Sequence, residues 1–171
     1  RKPAAALLLA VCLVLQGSAA KLLQVRGVTP DFFLILTLLA GLAYGPGQGA
    51  TFGLTAGILQ DFVYSRALGV SAFVKMSTGF AAGIAGKRLF RENILVLVMT
   101  VFVGTLVSGA LFFVVARLFG SAVEFWPSLG VMVVPTAAYN SVLAPLGYWA
   151  LRRLESALAA RGRARSRMDK E

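Results

Sequence analysis

Residues 41–61 read GLAYGPGQGATFGLTAGILQD, and the spacing within them decides the fold. Gly41, Gly45, Gly49, Gly53, Gly57 and Asp61 follow one another at intervals of four. Residues four apart share one face of an α-helix. At Gly45-Pro46-Gly47 the chain must turn, because proline cannot continue a helix and glycine tolerates the backbone angles of a turn. The stretch therefore predicts a helical hairpin, one arm ending at about Tyr44 and the other running from about Gln48 to Tyr64. In the second arm Gly49, Gly53 and Gly57 expose backbone on one face, so that another helix can come close. That helix belongs either to the same chain or to a partner.

The composition says where such a hairpin lives. Of 171 residues, 58% are hydrophobic and only 14% charged, and mean hydropathy is +0.79. Apolar runs separated by short basic or Gly/Pro clusters approach the roughly 20 residues that a membrane-crossing helix needs. The expectation is an all-α integral membrane protein of about six transmembrane helices. The run from Pro3 to Leu23, behind Arg1 and Lys2, has the residue order of a signal peptide but the length of a span, and is read as the first helix. Thr29, Pro30 and Asp31 then open the second, with Thr29 as cap, Pro30 at the first helical position and Asp31 near the positive end of the dipole. The second and third helices are short for full spans. A fourth is expected from about Leu68 to Ala85, closed by Gly86 and by Lys87, Arg88 and Arg91. The fifth runs from Asn93 to about Phe119, and the sixth from Pro127, through Pro135 and Pro145, to just before Arg152. Residues 1–154 thus form the membrane domain and residues 155–171 a basic tail that suits a surface helix.

Six spans place both termini on one side of the bilayer. That side collects Arg1, Lys2, Lys87, Arg88, Arg91, Arg152, Arg153, Arg161, Arg163, Arg165, Arg167 and Lys170. Lys21, Arg26, Arg66, Lys75 and Arg117 remain on the other. The excess of cations on cytoplasmic loops makes the first side cytoplasmic. The net charge of +10 is thereby accounted for at the membrane surface, without a nucleic-acid partner.

Catalytic chemistry finds little support. There is no histidine, which removes the commonest metal ligand and general base, and the single cysteine, Cys12, lies in an apolar run. Asp31, Asp61, Glu92, Glu124 and Glu155 fall at or near predicted span ends, where water or headgroups solvate them. Ser71 and Lys75 share a helical face and resemble a nucleophile–base dyad, but a lysine near a helix start also snorkels to the interface. No phosphate-binding or cofactor-binding pattern is present, and neither a cofactor nor a metal is expected. The informative positions are those of packing or partner contact. Gly49, Gly53 and Gly57 form the seam, and Gly79 with Gly83, and Gly104 with Ser108, repeat it on later helices. Asp61 is placed to cap the fourth helix or to pair with Arg66. Asn140, an amide in an apolar span, needs a hydrogen-bond partner from another helix. Trp126 and Trp149 suit interfacial anchors.

Pro30-Asp31-Phe32, the glycine-rich turn, the run from Gly53 through Leu59-Gln60-Asp61 with the following Leu68-Gly69, and Tyr139-Asn140 with Pro145 resemble the rod shape-determining protein MreD family. The resemblance covers nearly the whole chain, and its most specific part is the glycine–Leu-Gln-Asp stretch. It implies a bacterial inner-membrane component of the cell-elongation machinery. The implied partners are MreC and, through it, RodA and a class B penicillin-binding protein, with no enzyme activity. It also implies a fold similar to the substrate-binding component of energy-coupling-factor transporters. Two readings follow: a scaffold that receives a partner's helix in a glycine-lined groove, and a binding component for a small, vitamin-like molecule. The small-residue steps also leave room for homo-oligomers.

Overall fold

The computed structural model describes Gln16, Gln24 and residues 28–64, 69–89, 93–118 and 129–168. Among these there are five α-helices and no strand: α1 (Phe32–Tyr44), α2 (Pro46–Tyr64), α3 (Val70–Leu89), α4 (Ile94–Leu118) and α5 (Val134–Met168), the last preceded by a π-helical turn at Leu129–Val133. Apart from Gln16, the expected first helix lies outside the described residues, as do Arg66 and Trp126.

Helix α1 is the axis of the bundle. Its 13 residues rise about 20 Å, well short of a hydrocarbon core of about 30 Å, and every residue from Phe33 to Leu42 is buried. An apolar segment too short to cross alone is here surrounded by α2, α3, α4 and α5. Its start differs from the expected one by two residues: Asp31 is itself the cap, its Oδ1 accepting from the Leu34 N–H at 2.9 Å. At its far end Gly45 takes φ 94°, a left-handed conformation that favours glycine, and the chain reverses at once into α2.

Helices α2 and α3 rise about 28 and 30 Å, from 19 and 20 residues, close to a full crossing. Helix α3 does not stop at Ala85 but runs through Gly86 to Leu89. Gly86 lies against the backbone of Leu42, so it serves close packing on α1 and ends nothing. Asn93 caps α4, its Oδ1 accepting from the Leu95 N–H at 2.9 Å. Among the described residues, α4 is the one helix both long and apolar enough to cross a membrane by itself.

The last helix departs furthest from expectation. Pro135 is the second residue of α5 and not an interior one, so its missing N–H falls in the first turn, behind the π turn. Pro145 is interior. The helix passes Arg152 without a break and ends at Met168, because the Ala- and Arg-rich segment beyond residue 154 has high helix propensity. Its 35 residues span about 52 Å, more than the roughly 30 Å of a hydrocarbon core. At the point of exit the Arg153 guanidinium lies 4.6 Å from the centre of the Trp149 ring, and Arg152 donates to Tyr148 Oη at 2.9 Å.

Candidate functional site: a buried polar knot beside a small cavity

The glycine seam faces inward. A Cβ built on Gly49, Gly53 or Gly57 would fall within 3 Å of the α3 backbone, at Gly79, at Lys75 and Met76, and at Ser71 and Ala72 respectively. Gly79 and Gly83 answer from α3 against Gly49 and Pro46. Backbone meets backbone along the whole α2–α3 contact, as small residues permit in lipid. The helix that the seam receives in this structure is one of the same chain, the first of the two readings. Gly104 likewise packs on Leu38 of α1.

At the end of the seam, Asp61 acts on α3. Its carboxylate accepts from the N–H groups of Gly69 (2.8 Å), Ser71 (3.3 Å) and Ala72 (3.3 Å). These are donors that no helical carbonyl can reach. Gly69 stands at the cap position, where it has φ 99° and no side chain to offer, and Asp61 supplies the missing acceptor from α2. The aspartate is 1% exposed, so the expected solvation at a span end is wrong, and hydrogen bonds to the backbone take the place of water.

The start of α1 is tied by residues far away in sequence. Asn140 Oδ1 accepts from the Asp31 N–H at 3.0 Å, and Asn140 Nδ2 donates to Thr105 Oγ1 at 3.3 Å, so one amide joins α1, α4 and α5. Gln16 Oε1 accepts from the Phe32 N–H at 3.0 Å, while its Nε2 donates to the Pro30 carbonyl at 3.2 Å. Lys75, on α3, forms an ion pair with Asp31. Lys75 is 3% exposed, so it does not snorkel and does not belong among the cations of the outer surface. Its ammonium engages Asp31, and no hydrogen bond to Ser71 supports a nucleophile–base dyad.

Beside this knot is a cavity of about 200 Å³. Asp31, Gln60, Ser71, Lys75 and Ser108 are among its polar lining residues, and Leu34, Phe112 and Met132 among its apolar ones. Gln60 Oε1 is buried there without a hydrogen-bond partner. Of the polar residues scattered along the sequence, Ser71 and Lys75 line it, whereas Tyr139 and Asn140 do not. Sequence reading passed over Gln60 and the pairing of Asp31 with Lys75. The signal available for Gln60 was its place beside Asp61 in the most specific stretch of the chain. Among the described residues no cluster of three possible metal ligands exists.

A short central helix buried from Phe33 to Leu42, glycine-to-backbone packing and one helix long and apolar enough to cross a bilayer fit the class of helical membrane proteins. The chain belongs to the rod shape-determining protein MreD family, whose model matches residues 4–154. It is accordingly a bacterial membrane protein with a role in rod shape determination, in a family of shape-determining components. No curated protein and no solved structure matches the chain. Asp31, Gln60, Asp61, Gly69 and Asn140, drawn from the segments that carry the family resemblance, all lie at one end of the bundle, at the knot, the cap and the cavity.

Proposed function

We propose that the protein is a non-enzymatic scaffold of the cell-elongation machinery. It sits in the inner membrane as six spans with both termini cytoplasmic, and it binds the single membrane-crossing helix of MreC. Through MreC it is linked to RodA and a class B penicillin-binding protein. The observation that carries this reading is an apolar groove of about 490 Å³ between α3 and α4. Ala81 and Ala85 form one bank, Met99, Val103 and Val107 the other, and Leu38 and Gly104 belong to the same lining. Only 22% of the apolar stretch of α4 is covered within the chain. The small residues on α3 let an incoming helix approach the backbone, and the absence of charge suits an apolar helix. Since α3 has already filled the glycine seam, this groove is, among the described residues, a surface that a helix from outside can enter.

Filling the groove from an exposed position tests the reading. Ala81→Leu should leave insertion and thermal stability unchanged, yet lower recovery of MreC with the tagged protein about tenfold, the loss of about 1.4 kcal/mol of contact. Val142→Leu, on the exposed face of α5, is the control. Unchanged recovery with Ala81→Leu would mean that lipid fills the groove and that MreC binds elsewhere.

A further inference from the structure

The cavity at the Asp31 end has a chemistry that packing does not explain. Lys75 has three N–H donors and Asp31 engages one of them. Gln60 Oε1 is an acceptor with no partner, in a place where an unpaired polar atom is costly. The lining therefore includes residues with unspent donors and an unspent acceptor, together with Ser71 and Ser108. The Asp31 carboxylate and the Lys75 ammonium offset each other, so the wall carries no net charge. The same lining includes Leu34, Phe112, Phe113 and Met132, which present carbon surface. About 200 Å³ would hold roughly six or seven waters at about 30 Å³ each. It would equally hold one compact organic group.

From this complementarity we propose that the cavity binds a neutral, hydroxyl-bearing group about the size of one sugar ring. A hydroxyl both donates and accepts, so a single type of group answers Gln60 Oε1 and the Lys75 ammonium together. An anion would leave the Gln60 acceptor unmet, and a cation would leave the remaining Lys75 donors unmet. The C–H face of a ring or polyol packs on Phe112 and Met132, while its hydroxyl edge meets the polar wall. Free solutes and lipid headgroups both carry this chemistry. The site is distinct from the α3–α4 groove, so its fate is independent of partner binding there.

The test uses the full chain in phosphatidylcholine nanodiscs, with tritiated glucose as the probe in equilibrium dialysis. Saturable binding of one glucose per chain is expected, with glucose 6-phosphate and glucosamine competing at least tenfold less well than unlabelled glucose. Gln60→Met should weaken binding about tenfold, the loss of one hydrogen bond. The melting temperature should stay equal or rise, since an unpaired amide is removed. Octyl glucoside competing tenfold better than glucose assigns the site to a lipid headgroup, and equal competition assigns it to a free solute. Absence of saturable binding of both glucose and octyl glucoside overturns the proposal. So does undiminished binding by Gln60→Met, or equal competition by the charged analogues.

Discussion

Replacing Gly53 by alanine sets two physical effects of opposite sign against each other. Alanine is the better helix former by about 1 kcal/mol, so propensity alone predicts a more stable protein. Packing predicts the reverse. The new Cβ would lie 2.5 Å from the carbonyl carbon of Lys75 and 2.9 Å from the Met76 nitrogen, where ordinary contact begins at 3.4 Å. The obstacles are backbone atoms that no rotamer change can move, so α2 and α3 must part by about 1 Å. A gap of that size forfeits a quarter to a half of the dispersion energy of the contacts it opens. Those contacts include the neighbouring steps at Gly49 and Gly57, which meet the same helix. Overpacking of this kind costs about 2–3 kcal/mol, which leaves a net loss of about 1–2 kcal/mol after the propensity gain. For a chain of this size that lowers the melting temperature by roughly 3–8 °C, measurable in detergent micelles by tryptophan fluorescence. Gly47→Ala is the internal reference: no atom lies within 4 Å of its Cβ, so it should be neutral or stabilising. If Gly53→Ala melts at or above the wild-type temperature, the close backbone approach along the seam is refuted.

Two further outcomes follow from the cap and from the charge distribution. Asp61→Ala strands the N–H groups of Gly69, Ser71 and Ala72 in a buried site and should cost about 3 kcal/mol, while Asp61→Asn, which keeps one acceptor oxygen, should cost about half as much. Amide hydrogen exchange at those three positions reads the effect locally, and unchanged protection in Asp61→Ala would remove Asp61 from the cap. For topology, cysteines placed singly at Arg88 and Arg163 should resist a membrane-impermeant maleimide in intact cells and react once the membrane is opened. Labelling from outside would invert the proposed orientation or make the number of spans odd.

The parts of the fold that were legible are those written in local chemistry. Gly45-Pro46-Gly47 announces its turn, and Asp31 announces a helix start to within two residues. Asp61 lies near enough in sequence to α3 for its capping role to be anticipated. The seam of Gly49, Gly53 and Gly57 was legible as close packing, but not as to which helix fills it, because four-residue spacing defines a face and not its occupant. The ion pair of Lys75 with Asp31 spans 44 residues, and the bond from Asp31 to Asn140 spans 109. Nothing local marks either, and a lysine in an apolar helix reads as a surface cation until a buried carboxylate is brought to it. Gln60 was hidden because its importance lies in an unmet hydrogen bond, which only three-dimensional accounting reveals. The extent of α5 was misjudged because polarity suggested an end where helix propensity carried the chain onward.

The tether from Asp31 to Asn140 bears on how the chain comes to exist in a membrane. Helix α1 leaves the ribosome well before α5, yet at 13 residues it is a poor insertion substrate, and the amide that accepts from its Asp31 N–H lies 109 residues further along. At about 5–20 residues per second that wait lasts roughly 5–20 s. During it the Asp31 N–H lacks its Asn140 acceptor, and Lys75 arrives before α5 can close the bundle around it. The newborn chain must therefore be held by the insertion machinery, at a protein–lipid boundary or in a sheltered vestibule, until α5 is made. Loss of the last helix would accordingly be felt first as failure to leave that shelter, and degradation by membrane proteases would follow before any defect in cell shape could be scored.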